Sequence, residues 1–165
     1  MRHGRAGRHL NRSGGQRRAL YRILMTELFR RERIMTTEAK ARAIRPLAER
    51  LVTKARKGRA EGVIDLAKQR NGTALTAWFS AKRAEQLIAL VDQGDEKALE
   101  TMAQQMALHA RRQVLATLTD KQIAHKLVDE IAPRFVDRPG GYTRMYKVGM
   151  RRGDSSPMAL LELVE

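Results

Sequence analysis

The sequence predicts an α+β fold: a small three-stranded sheet, made of an N-terminal strand plus a C-terminal hairpin, packed with several helices and carrying a helical insertion. Three observations carry this reading. Apolar residues recur at helical spacing through most of the chain. Short β-prone or alternating stretches stand at 33–37, 142–148 and 158–164. One middle stretch is slightly acidic inside a strongly basic protein. The 165 residues suffice for one ordinary domain with an insertion.

The elements follow in chain order. Residues 1–15 hold Arg2, Arg5, Arg8 and Arg12, no acid, several glycines and a single large aliphatic residue, Leu10. Nothing there packs a core, so an arm that is mobile when free is expected. Ser13-Gly14-Gly15-Gln16 reads as a capping box, opening a helix that runs to about Arg31. Leu20, Ile23, Leu24 and Leu28 form its predicted apolar stripe, and Arg17, Arg18, Arg22, Arg30 and Arg31 lie largely off it. Arg33–Thr37 is a predicted strand, and Thr37 a candidate cap for a helix ending near Lys57. That helix carries Ala41, Ile44, Leu47 or Ala48, Leu51 and Ala55. Pro46 inside it predicts a kink near Ile44 or two abutting helices, because proline removes a helix N–H and crowds the preceding turn.

Residues 58–106 change character, with Glu61, Asp65, Glu85, Asp92, Asp95, Glu96 and Glu100 set against Lys68, Arg70, Lys82, Arg83 and Lys97. A short helix at about 60–68, one at about 73–91 and one starting near Asp95 are expected. Trp78, Phe79, Met102 and Met106 suit a small helical core or, alternatively, a face for a protein partner. Thr119-Asp120-Lys121-Gln122 is a second capping-box pattern, opening a helix with Ile123, Leu127, Val128 and Ile131 and with Pro133 near its end. Pro139-Gly140-Gly141 is a turn. Strands at 142–148 and 158–164, joined through the loop 151–157, complete a hairpin with a long basic connection. The organisation expected is therefore an arm at 1–15, a core domain at 16–57 and 107–165, and a helical insertion at 58–106.

Charge narrows the function. Lys and Arg number 33 against 18 Asp and Glu, a formal net charge of +15 with a pI near 11.1. A polyanion relieves such self-repulsion, and nucleic acid binds it by releasing condensed counterions. A membrane surface needs large apolar anchors, and aromatic residues make only 4% of the chain. With no cysteine, disulfides and thiolate metal sites are excluded, and His3, His9, His109 and His125 form no helical ligand pair beside a carboxylate. No apolar run reaches membrane-spanning length. The start, Met1-Arg2-His3-Gly4-Arg5, lacks the apolar stretch of a signal peptide, so a cytoplasmic protein is expected. No cofactor, metal or small-molecule substrate is implied. An RNA-processing enzyme would require a converging acid–base set, which the sequence does not offer. A DNA binder of the helix-turn-helix type would require a compact basic recognition helix. Charge spread over both ends suits an irregular RNA surface better.

Arg2, Arg5, Arg8 and Arg12 are candidate phosphate contacts, since the guanidinium fork donates two hydrogen bonds and its face stacks on bases. His3, His9 and Asn11 lie between them. Arg17, Arg18 and Arg22 precede the first acid of their helix, Glu27, so intrahelical pairing does not satisfy them. Lys40 and Arg42, with Arg45, are either RNA contacts or plain surface beside Glu38 and Glu49. Arg134, Arg138 and Arg144 frame the glycine turn. Tyr142 is open to two roles, stacking on a base or packing as a strand tyrosine. Lys147, and Arg151 and Arg152 at the hairpin tip, complete the set.

The order of local motifs adds a further reading. Met1-Arg2-His3 with Gly7-Arg8 and Leu10-Asn11-Arg12 comes first. Ile34-Met35-Thr36-Thr37-Glu38-Ala39-Lys40-Ala41-Arg42 follows. Pro133-Arg134-Phe135, Arg138 and Gly140-Gly141-Tyr142-Thr143-Arg144 form a third block. Arg151-Arg152-Gly153-Asp154, Pro157-Met158-Ala159 and Glu162-Leu163-Val164 form the last. This series resembles the bacterial large-subunit ribosomal protein seventeen family over residues 1–57 and about 107–165. Gly4 stands where the family often has a basic residue, Ser13-Gly14-Gly15-Gln16 is smaller than the usual helix entry, and residues 58–106 have no counterpart in the short family pattern. The resemblance implies a non-catalytic structural role: binding large-subunit ribosomal RNA near the polypeptide exit tunnel, with neighbouring ribosomal proteins as the other partners and no cofactor.

Overall fold

A computed structural model of the protein describes residues 7–164. In chain order it contains α1 (Gly14–Arg31), β1 (Arg33–Thr37), α2 (Glu38–Arg56), α3 (Ala60–Lys68), α4 (Gly72–Trp78), α5 (Ala81–Gln93), α6 (Glu96–Thr117) and α7 (Lys121–Lys126). A π-helical turn, Leu127–Ile131, and a 3-10 turn, Ala132–Phe135, follow before β2 (Thr143–Met150) and β3 (Pro157–Leu163). The sheet has order β1-β3-β2 and is antiparallel throughout, so the last strand lies between the first strand and its own hairpin partner. The α+β class and the three-stranded sheet are as predicted.

Alternation makes the sheet two-faced. Ile34, Thr36, Ala159, Leu161 and Leu163 point inward, with Ile34 opposite Leu161 and Thr36 opposite Ala159. α2 packs against all three strands, and its buried Ala41, Ile44, Ala48, Leu51, Val52 and Ala55 meet that inner face. Glu49, on the same helix, fixes where β2 begins. Its carboxylate accepts from the backbone N–H of Tyr142 at 3.1 Å and of Thr143 at 3.0 Å, and from the Thr143 hydroxyl at 2.7 Å. Met35, Leu160 and Tyr146 face outward in one cross-strand row.

Two hydrophobic clusters form. The larger joins α1, the sheet, α2, the end of α6, α7 and the turns that follow. The smaller consists of Val63, Ala67, Leu75, Ala84, Leu87, Leu99, Ala103 and Met106, with Trp78, Phe79 and Met102 packed partly buried against it. All of these lie between residues 58 and 106, so Trp78, Phe79 and the methionines belong to a small core. Arg59 also falls in this segment and brings it to within one charge of neutrality. α6 is continuous across residue 106 and ties the two clusters together.

Several local expectations change. α1 begins with the predicted capping box, Ser13 and Gln16 bonding reciprocally. Its buried face, however, is Met25, Leu28 and Phe29 with Tyr21 and Leu24 beside them, and Ile23 stays 60% exposed. The apolar run offers two overlapping stripes, and packing against β1 and α2 chooses between them. α2 is one helix across Pro46, not two abutting ones, with the proline on its exposed side. Thr37 occupies the N-cap position without a side-chain capping bond. The predicted helix over 73–91 is two helices, because Phe79 is extended and Ser80 opens a new one. At the second capping-box pattern it is Asp120, not Thr119, that caps, accepting from the N–H of Gln122 at 2.9 Å. The helix there also widens into the π turn and then tightens into the 3-10 turn that contains Pro133.

Candidate nucleic-acid interface

Which cations are free to meet a polyanion depends on which carboxylates already hold them. Arg134 donates to Glu32 at 2.7 Å, and Lys126 reaches the same carboxylate at 3.0 Å. Those two cations hold the Glu32 carboxyl below its usual range, the Arg134 hydrogen bond most strongly, against some loss of solvation. Arg42 is paired with Glu38 one turn earlier on α2. Arg30 and Arg31 share Glu27, and Arg30 also reaches Asp120 at 2.9 Å. Arg151 forks onto Asp154, its Nε donating at 2.8 Å. Asp154 also accepts from the Ser156 hydroxyl at 2.9 Å, and these bonds push its carboxyl far down. The hairpin connection is thus a tight six-residue loop, 151–156, closed by Arg151, and of the tip pair Arg152 is the one that is exposed without an ion pair among the described residues.

Tyr142 leaves the set of candidate RNA contacts. It is 1% exposed, packs against Phe135 with ring centroids 5.1 Å apart, and its hydroxyl accepts from Arg56 at 2.9 Å. A ring enclosed in this way has no face left for a base. Arg144 stays exposed on β2 and bonds the Tyr146 hydroxyl at 3.3 Å, while its neighbours across the sheet are Glu162 and then Arg33. Arg138 and Lys147 are exposed, and Lys40 is half-buried near the start of α2.

Cations without carboxylate partners gather on α1 and the facing side of α2. Arg18, Arg22, Arg50 and Lys54 line one groove of about 280 Å³, together with Tyr21, Met25, Leu47, Leu51 and Thr117. No acid contributes to its wall, and among the described residues none of these four cations makes an ion pair. The described part of the arm packs at the same place. The Tyr21 hydroxyl donates to the Arg8 carbonyl at 3.2 Å, and Arg17 and the His9 ring approach to 3.3 Å. Arg12 donates its backbone N–H to the His9 carbonyl, turning the chain through Leu10 and Asn11, both with positive φ. The candidates Arg2, His3 and Arg5 lie outside the described residues.

Sequence reasoning missed Arg50 and Lys54. The available signal was their i, i+4 spacing one turn from Leu47, which puts both beside the apolar stripe of α2. It also missed Arg56. That guanidinium donates to the carbonyl of Arg138 at 3.1 Å and to the Tyr142 hydroxyl, and sits 5.7 Å from the centre of the Trp78 ring. Arg56 is therefore a structural hub linking α2, the β2 entry and the smaller core. Beside it, burial chiefly pushes the Lys57 ammonium down, and Lys57 donates to the Trp78 carbonyl at 2.8 Å.

Among the described residues no three His, Asp or Glu side chains gather as a metal site, and no helix is long and apolar enough to cross a membrane. The family model described as Ribosomal protein L17 matches residues 20–164. Large ribosomal subunit protein bL17 of Symbiobacterium thermophilum is 37% identical over 155 residues, covering 94% of this chain and 95% of the relative. The protein of the same name from Thermodesulfovibrio yellowstonii is 38% identical across the whole chain and 88% of its own length. That from Caldanaerobacter subterraneus is 36% identical over 95% of this chain and 97% of its own length. Alignments of this span extend across residues 58–106, so these relatives are of comparable length to this chain.

Proposed function

The chain belongs to the ribosomal protein L17 family, and from that membership we propose that it is a non-catalytic constituent of the large ribosomal subunit in the bacterial cytoplasm. It binds large-subunit ribosomal RNA through the arm, α1 and the C-terminal hairpin, beside neighbouring ribosomal proteins. The observation that carries the RNA reading is the gathering of Arg18, Arg22, Arg50 and Lys54 with no carboxylate among them, whereas Arg42, Lys126, Arg134 and Arg151 are already ion-paired. Unpaired charge lowers stability through self-repulsion unless a partner neutralises it, and a phosphate backbone does so with release of counterions. A position near the polypeptide exit tunnel rests on the family resemblance alone. Arg8, Arg12, Arg17, Arg18 and Arg22 are the first contacts on this reading, with Arg138, Arg144, Lys147 and Arg152 forming a second group. Residues 58–106 form a helical insertion that does not carry the RNA contact.

Sedimentation tests it. In sucrose gradients of cell lysate the tagged protein is expected with large subunits at low salt and released in a graded way as salt rises. A protein that never travels with large subunits ends the proposal.

A further inference from the structure

The groove between α1 and α2 has a second property besides charge: its floor is apolar. Tyr21, Met25, Leu47 and Leu51 form that floor, and the four cations stand at its rim. A surface made for the phosphates of an intact duplex needs only the rim, since a duplex keeps its bases stacked inside. An apolar floor under a cationic rim matches a nucleotide whose base has left the stack, with an aromatic or aliphatic surface beneath the ring and cations at the phosphates on either side. The volume, about 280 Å³, is on the scale of a single small ligand and not of a helix or strand. Tyr21 is held in place by its bond to the Arg8 carbonyl, so the wall is preformed and the basic arm leaves from its edge. We propose that this groove receives one unstacked nucleotide from a loop or bulge of the RNA, its base against Tyr21, Met25 and Leu47 and its flanking phosphates on Arg18, Arg22, Arg50 and Lys54. The proposal rests on the RNA-binding reading above and specifies the conformation of RNA that is recognised.

The alternative occupant is an acidic segment of a neighbouring protein, which would use the rim equally and the floor less specifically. Floor and rim can be separated. Leu47→Lys adds a positive charge while disrupting the floor. Full-length protein is titrated by filter binding against deproteinised large-subunit RNA, with polyglutamate as competitor, and its melting is followed to confirm folding. Nucleotide insertion predicts that L47K binds roughly tenfold more weakly in spite of its extra charge, a loss of about 1.4 kcal/mol. The double variant Arg50→Gln with Lys54→Gln is expected to weaken binding and to lower the salt slope by about two. Equal or tighter binding by L47K overturns the proposal while leaving RNA binding intact; so does polyglutamate competing as well as RNA. No binding by the wild-type chain refutes the underlying reading instead. Should L47K fail to fold, ultraviolet crosslinking of the wild-type protein to the same RNA decides. Uridine adducts on Tyr21 or Met25 support insertion, and adducts confined to the arm and hairpin overturn it.

Discussion

From the middle of α2, the Glu49 carboxylate accepts three hydrogen bonds from Tyr142 and Thr143, at the entry to β2 and nearly a hundred positions later. Removing the carboxylate leaves two backbone N–H groups and a buried hydroxyl without their acceptor. Bonds to charged groups contribute about 1.5–3 kcal/mol each, and some of the freed donors reach water. Glu49→Ala is therefore expected to lower unfolding free energy by roughly 3 kcal/mol, with Glu49→Gln in between, measured by urea denaturation with an unchanged m-value. Gly58 shows the opposite constraint, absence of space. A Cβ there would lie 2.8 Å from Val128 Cγ1 and 3.0 Å from the Ala55 carbonyl oxygen, while the Gly58 carbonyl accepts from Arg111 at 2.9 Å. Overpacking of this kind costs about 1–3 kcal/mol. Gly58→Ala should lose stability in that range, and a melting temperature equal to wild type would show that the end of α2 yields more easily than its packing implies.

At the scale of elements, α1 is locked to α7 and the turn after it by its C-cap residue. Glu32 has a left-handed backbone, accepts from Arg134 and Lys126, and has a carboxyl lowered from 4.5. Because the folded-state value is the depressed one, this stabilisation is fully present above the unfolded value and fades as pH falls through the folded one. Wild type should thus lose its advantage over Glu32→Gln from about pH 5 downward; parallel urea curves at neutral and acid pH that leave the gap unchanged would refute the linkage. This contact also marks what was legible beforehand. β1 and the hairpin were readable because their alternation admitted one solution; α2 was readable in extent, while the choice of Leu47 or Ala48 and the effect of Pro46 were settled only by its packing. α1 was misphased because Leu20, Tyr21, Ile23, Leu24, Met25, Leu28 and Phe29 supply two stripes and only tertiary contact selects one. The break at Phe79–Ser80 had a serine as its sole local signal. Tyr142 and Arg56 could not be assigned without knowing that residues 56, 78 and 142 converge. Arg18 and Arg22 were legible as cations without a carboxylate partner because acids are absent before Glu27, whereas Arg50 and Lys54 were obscured by Glu49, whose carboxylate turns out to point into the fold.

For the whole molecule, the separation of charge and of cores makes one prediction about residues 58–106. Their hydrophobic cluster is drawn entirely from within the segment, and polar contacts to the main core run through Arg56 over Trp78, Lys57 to the Trp78 carbonyl and Arg111 to the Gly58 carbonyl. The segment's ends also lie close together. Gly58 closes α2 and touches Arg111 on α6, so a short flexible linker can replace residues 59–106 without dragging α2 away from the remaining turns of α6. The groove cations and the hairpin all lie outside the deleted stretch. A chain shortened in this way should fold, melt somewhat lower through loss of the Trp78 contacts, and still co-sediment with large subunits at low salt. Its release at higher salt should follow the wild-type curve, because the phosphate-facing charge is unchanged. Failure to co-sediment despite a cooperative melt would mean that the helical segment takes part in assembly itself, and that the basic surface alone does not bring this protein to its RNA.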